Sequence, residues 1–111
     1  MPQPTEAKSV FRIDRFQVPT AARDEFLDRV RFIRDFLSTQ PGCRQNLVLE
    51  QAGEGDRSTI VTVVEWQDAT AFGNARAAAA ARYRESGFNP QALIERLGIE
   101  AAFASCEPIA P

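Results

Sequence analysis

The chain has 111 residues, 44% of them hydrophobic and 25% charged, with a net charge of −2. That is the make-up of one domain able to bury a core without metal or disulfide staples, and its acidic balance excludes a phosphate-collecting surface for nucleic acid. No apolar run approaches the ~20 residues of a membrane span, and the absence of histidine removes Ser-His-Asp and Cys-His catalysis and His-ligated zinc or haem.

Residues 1–7 contain two prolines and no pattern, and are expected to form a loose tail to a single domain spanning 1–111. The polar start MPQPTEAK lacks the apolar centre of a signal peptide, which leads to the expectation of a cytoplasmic protein. From Lys8 to Val18 the alternation predicts a strand, with Phe11 and Ile13 on one side and Asp14, Phe16 and Val18 on the other. Apolar residues on both sides imply that both faces are covered. Pro19 ends the strand and Thr20 is a candidate cap for a helix reaching about Thr39. Ala22, Phe26, Val30, Ile33 and Leu37 mark its buried face. Phe32 and Phe36 lie a quarter to a third of a turn away, so the helix is expected to be covered on its flank too.

Gln40-Pro41-Gly42 stops that helix, and Arg44–Gln51 reads as a second strand. The polar, glycine-rich AGEGDRS suits a hairpin loop. Thr59–Trp66 is β-branched and reads as a central strand, with Ile60, Thr62, Val64 and Trp66 on one face and Val61, Val63 and Glu65 on the other. Asp68 caps a helix running to about Ser86, with Phe72, Ala75, Ala79 and Tyr83 near one face and Gly87 at its end. The run Ala77–Ala81 gives that helix high propensity and a thin surface. Asn89-Pro90 opens a short helix that Gly98 closes, and Ile99–Ile109 is the last strand, limited to an edge by Pro108. Cys43 and Cys106 read as buried thiols more readily than as a disulfide.

The order β-α-β-β-α-(short α)-β is the α+β, ferredoxin-like split βαβ arrangement, a four-stranded antiparallel sheet with helices on one face. The opposite face carries Phe11, Ile13, Val61 and Val63. One chain has no third layer to cover them, so a homodimer pressed sheet to sheet is expected.

The strand exit FQVP, QPGCR before the second strand, and VVEWQDATAF across the third strand and second helix resemble the antibiotic biosynthesis monooxygenase (ABM) family, within the dimeric α+β barrel group. The resemblance covers about Ser9 to Pro108. It implies a dimeric α+β barrel with a ligand pocket between sheet and helices. Family members include cofactor-independent oxygenases acting on aromatic polyols and quinols, and haem-degrading enzymes. The haem-degrading branch uses an Asn, a Trp and a His. Trp66 falls at the Trp and Asp14 at the Asn, while the histidine position, near Tyr83 to Glu85, holds none. The resemblance therefore points to chemistry needing no cofactor and no metal. An electron-rich phenol or quinol is deprotonated and its anion reduces oxygen.

In that setting Asp14 is a candidate base, or else a carboxylate paired with Arg12, Arg15 or a helix arginine. Trp66 is a stacking wall and N–H donor, or a core residue closing its strand. Tyr83 donates to a substrate oxygen, or packs at a helix end. Phe26, Phe72 and Phe88 are candidate walls, Asn46 a substrate-binding residue, and Arg76 a holder of an anionic group; Arg44 and Arg82 are weaker candidates. The expected function is a cofactor-independent monooxygenase on a small electron-rich aromatic or quinol. The alternatives are a non-catalytic small-molecule-binding or stress-response protein, and a polyketide-type cyclase or isomerase.

Overall fold

A computed structural model describes residues 8–51 and 55–109. The expected tail at 1–7 and part of the hairpin loop lie outside the described residues. The elements are β1 (Val10–Pro19), α1 (Arg23–Ser38), β2 (Cys43–Gln51), β3 (Arg57–Trp66), α2 (Ala69–Ser86), α3 (Pro90–Leu97) and β4 (Glu100–Cys106). The sheet is antiparallel in the order β2-β3-β1-β4, so β1 shares the centre with β3. This is the ferredoxin-like α+β fold expected from the sequence.

The register sorts side chains into rows. On the helix-covered face one row reads Val48, Thr62, Asp14, Phe103, and the next Asn46, Val64, Arg12, Ser105. On the opposite face Leu47, Val63, Ile13 and Ala104 line up, beside Leu49 and Val61. Leu47 and Leu49 are exposed there, at 41% and 47% of their surface. An apolar row therefore crosses the outer face from β2 to β4, with Arg15 and Glu65 on either side of it. Among the described residues no helix is long and apolar enough to cross a membrane.

Local chemistry explains most boundaries. The Asp68 carboxylate accepts from the Ala71 N–H at 2.8 Å, and the Asn89 side chain accepts from the Ala92 N–H at 3.1 Å, each capping its helix. Gly42 turns the chain into β2 at φ +87°, and a Cβ there would stand 2.6 Å from Ala71 Cβ. Its carbonyl accepts from the Gln67 N–H at 2.8 Å, clamping this turn to the start of α2.

Several expectations are corrected. Thr20 caps nothing: residues 20–22 form a 3-10 turn before α1, and the Thr20 N–H donates across to the Asp56 carbonyl at 2.7 Å. Within one chain Phe32 is 45% exposed and Phe36 half-buried, and what covers this flank is the Arg82 guanidinium, which lies over the two rings at 5.6 and 5.2 Å. The thiols are free but not both buried: Cys43 is half-buried, and Cys106 is exposed because it sits opposite Phe11 on the outer face of an edge strand. β4 ends at Cys106, before Pro108.

Candidate functional site

The hydrophobic core comes in two pieces. One gathers Phe16, Val18, Phe26, Leu27, Val30, Ile60, Leu93 and Ile99. The other gathers Val64, Trp66, Ala71 and Ala75. Between them the sheet presents the partly polar row containing Thr62 and Asp14, which gives the helices no continuous apolar surface to close upon. From α2 the cavity takes the small side chains of Ala75, Ala79 and Ala80, with Phe72, Arg76 and Tyr83 beside them. The result is a cavity of about 380 Å³, within the size range of small-molecule sites.

All eight singled-out residues line it: Asp14, Trp66, Tyr83, Phe26, Asn46, Phe72, Arg76 and Phe88. Trp66 is buried at one end of the cavity and packs with Phe72. Phe26 belongs to the opposite cluster, its ring 4.9 Å from that of Phe16. Tyr83 meets Phe88 edge to face at 5.4 Å. Neither the indole N–H of Trp66 nor the Tyr83 hydroxyl has an acceptor among the described residues. Burial pushes the Tyr83 phenol up, so at neutral pH it remains a neutral donor.

Asp14 is the carboxylate of the cavity. Its side chain is 18% exposed and accepts from Arg12 Nε at 2.9 Å. Burial raises its pKa above the ordinary aspartate value; the Arg12 hydrogen bond and charge, and the Ala104 backbone, pull the other way without cancelling the rise. Asp14 is thus both paired and strengthened as a proton acceptor, two readings that the sequence set against each other.

Two expectations change in detail. The Asn46 amide donates to the Arg34 carbonyl at 2.9 Å and to Ser38 Oγ at 3.0 Å, so its NH₂ ties β2 to α1 and only its oxygen remains for a ligand. Arg44 points away, bonding Ser9 at 3.1 Å and lying 4.0 Å from Glu65 on the outer face.

Sequence reasoning missed Arg12, Arg29, Arg34 and Phe103 as lining residues. Arg12 was readable, since it lies two residues from Asp14 on the same face. Arg29 and Arg34 flank the apolar stripe of α1. Phe103 reaches the site by pairing opposite Asp14, which no local pattern announces. Among the described residues no group of three His, Cys, Asp or Glu could hold a metal.

Residues 9–83 match the sequence profile of the antibiotic biosynthesis monooxygenase family. The chain belongs to the ABM family. Solved structures similar to this ABM protein include a candidate monooxygenase from Shewanella loihica PV-4, 26% identical with a TM-score of 0.67, covering 95% of this chain and 98% of that one. SnoaB, a cofactor-independent oxygenase from Streptomyces nogalater, is 24% identical with a TM-score of 0.62, over 95% and 97% of the two chains. A dimeric ferredoxin-like protein from an uncultured marine organism is 14% identical with a TM-score of 0.66, over 94% and 98%. A comparison with curated proteins gives no match.

Proposed function

We propose that this ABM-family protein is a cofactor-independent monooxygenase acting on a small electron-rich aromatic or quinol. The observation that carries the reading is Asp14, a partly desolvated carboxylate facing an aromatic-walled cavity, where burial makes it a stronger base than a solvated aspartate. A phenol or quinol held against Trp66, Phe72 and Phe26 gives its proton to Asp14. The resulting electron-rich anion passes an electron to oxygen, and recombination forms a peroxide on a ring CH₂ or CH carbon. Loss of water leaves a carbonyl, so one oxygen atom stays in the product and the other departs as water. The indole N–H of Trp66 and the hydroxyl of Tyr83 serve as donors to the substrate oxygens, where negative charge develops. Asn46, Phe88 and Arg76 complete the binding walls.

Oxygen uptake with a panel of anthrone- and quinol-like compounds tests this. Turnover that fails in Asp14→Asn while binding persists supports the reading; binding with no oxygen uptake by the wild type overturns it. The protein acts as a homodimer in this reading. Support comes from the apolar row Leu47, Val63, Ile13 and Ala104 on the uncovered sheet face, which a second copy would bury.

A further inference from the structure

The cavity carries charge of the opposite sign to the molecule around it. Its lining holds Arg12, Arg29, Arg34 and Arg76 but one carboxylate, Asp14, in a chain of net charge −2. Arg12 and Asp14 offset each other through their 2.9 Å contact. Among the described residues the other three have no ion-pair partner. Glu25, one turn before Arg29, is hydrogen-bonded to Arg96 and feels the Arg29 charge only at longer range, and Asp28 pairs with Arg31.

Each of the three is tethered by another lining group in a way that leaves donors over. Arg34 Nε donates to the Asn46 carbonyl at 3.1 Å, which leaves both terminal nitrogens. Arg29 lies over the Phe88 ring at 4.7 Å and Arg76 over the Phe72 ring at 5.7 Å. Stacking on a ring face uses no N–H. All three residues are exposed at the cavity's rim, where their donors are open to an entering ligand, and a cleft lined by one sign of charge focuses its field on that ligand.

We propose that the cavity selects aromatic ligands that carry a negative charge, an arene carboxylate or a phenolate, over neutral aromatics of the same shape. This rests on the cavity being the substrate site. It also assigns the arginines a part in the chemistry. A positive site holds a phenol as its anion, the species that gives an electron to oxygen, so Asp14 does not bear the whole cost of deprotonation.

The test is calorimetric titration of the full chain with 2-naphthoate and with its neutral counterpart 2-naphthamide. The expected result at low salt is at least ~10-fold tighter binding of the naphthoate, the factor that corresponds to ~1.4 kcal/mol, narrowing as salt screens the charge. The double variant Arg29→Gln/Arg76→Gln, with Arg34→Gln added in a second protein, should collapse the ratio of naphthoate to naphthamide affinity toward one, weakening naphthoate far more than naphthamide. Circular dichroism of each variant checks the fold. Equal binding of both probes overturns the charge selection while leaving the cavity as a ligand site. A naphthoate preference that survives the triple substitution also overturns it, because the charge then lies elsewhere. Binding of neither probe removes the substrate-site reading and the selection together.

Discussion

Ala79→Leu distinguishes a ligand cavity from a tightly packed interior by the sign of its effect. Ala79 is buried, at 8% exposure, and lines the cavity, yet packs into neither hydrophobic cluster. Leucine adds three carbons at that position. Placed in the cavity, each removes apolar surface from water for ~0.8 kcal/mol, about 2.4 kcal/mol together. Fixing the leucine rotamer costs about 0.5–1 kcal/mol, leaving a net stabilisation of roughly 1.5 kcal/mol. For a domain of this size that is a rise in Tm of roughly 6–10 °C. In a close-packed interior the same change overfills the site and costs ~1–3 kcal/mol. Calorimetric melting of the two proteins reads the sign, and 2-naphthoate titration reads the second expectation, a loss of binding of roughly ten-fold or more, the equivalent of at least ~1.4 kcal/mol. A lower Tm refutes the cavity; a higher Tm with unchanged binding refutes its use as the ligand site.

Asp14→Asn should lower oxygen uptake by ~10²–10⁴-fold, the usual worth of a general base. In the wild type the rate should climb with pH through a midpoint above the ordinary aspartate value. Because burial raises the folded-state pKa of Asp14, its stabilising contribution is complete below the unfolded-state carboxylate pKa and is lost as pH rises through the folded value. Urea unfolding across that window should therefore show a flatter pH dependence in Asp14→Asn than in the wild type. Gly42→Ala has to hold an L-residue at φ +87° against Ala71. The backbone alone costs ~1–2 kcal/mol, and a Tm lowered by less than a few degrees would mean that the turn had relocated. Light scattering at micromolar concentration should give about twice the 12.3 kDa chain mass, with Leu49→Glu on the outer face shifting it to one. A monomeric wild type would end the sheet-to-sheet reading.

The fold was legible because its signals were local and agreed with one another. Asp68 and Asn89 are caps whose bonds form within three residues, and the alternation from Ile60 to Trp66 assigned each side chain to the correct face. The error at Thr20 arose because the chain inserts a 3-10 turn there, held by Asp56 on β3's approach, a contact distant in sequence. The cavity's members were partly legible for the same reason: Asp14, Trp66 and Tyr83 follow from strand and helix period. What period cannot show is how facing rows line up. Phe103 stands opposite Asp14 through the β1–β4 register, and Arg34 is aimed by a β2 carbonyl. Nor does a stripe such as Phe72, Ala75 and Ala79 reveal whether its alanines touch the sheet or span a gap.

The divided core has a consequence for how the chain assembles. The Trp66 cluster, with Leu37, Cys43 and Phe72 packed against it, draws only on residues 37–75, one continuous length of chain. The other cluster joins Phe16 to Ile99 and needs β1, α1, α3 and the segment before β4 all in place. Loops closed early are short and lose little entropy, whereas long closures must wait for many contacts at once. The β2–β3 hairpin with the start of α2 can therefore organise around the tryptophan before the chain ends arrive. The cavity then lies along the seam where the early half meets the late one.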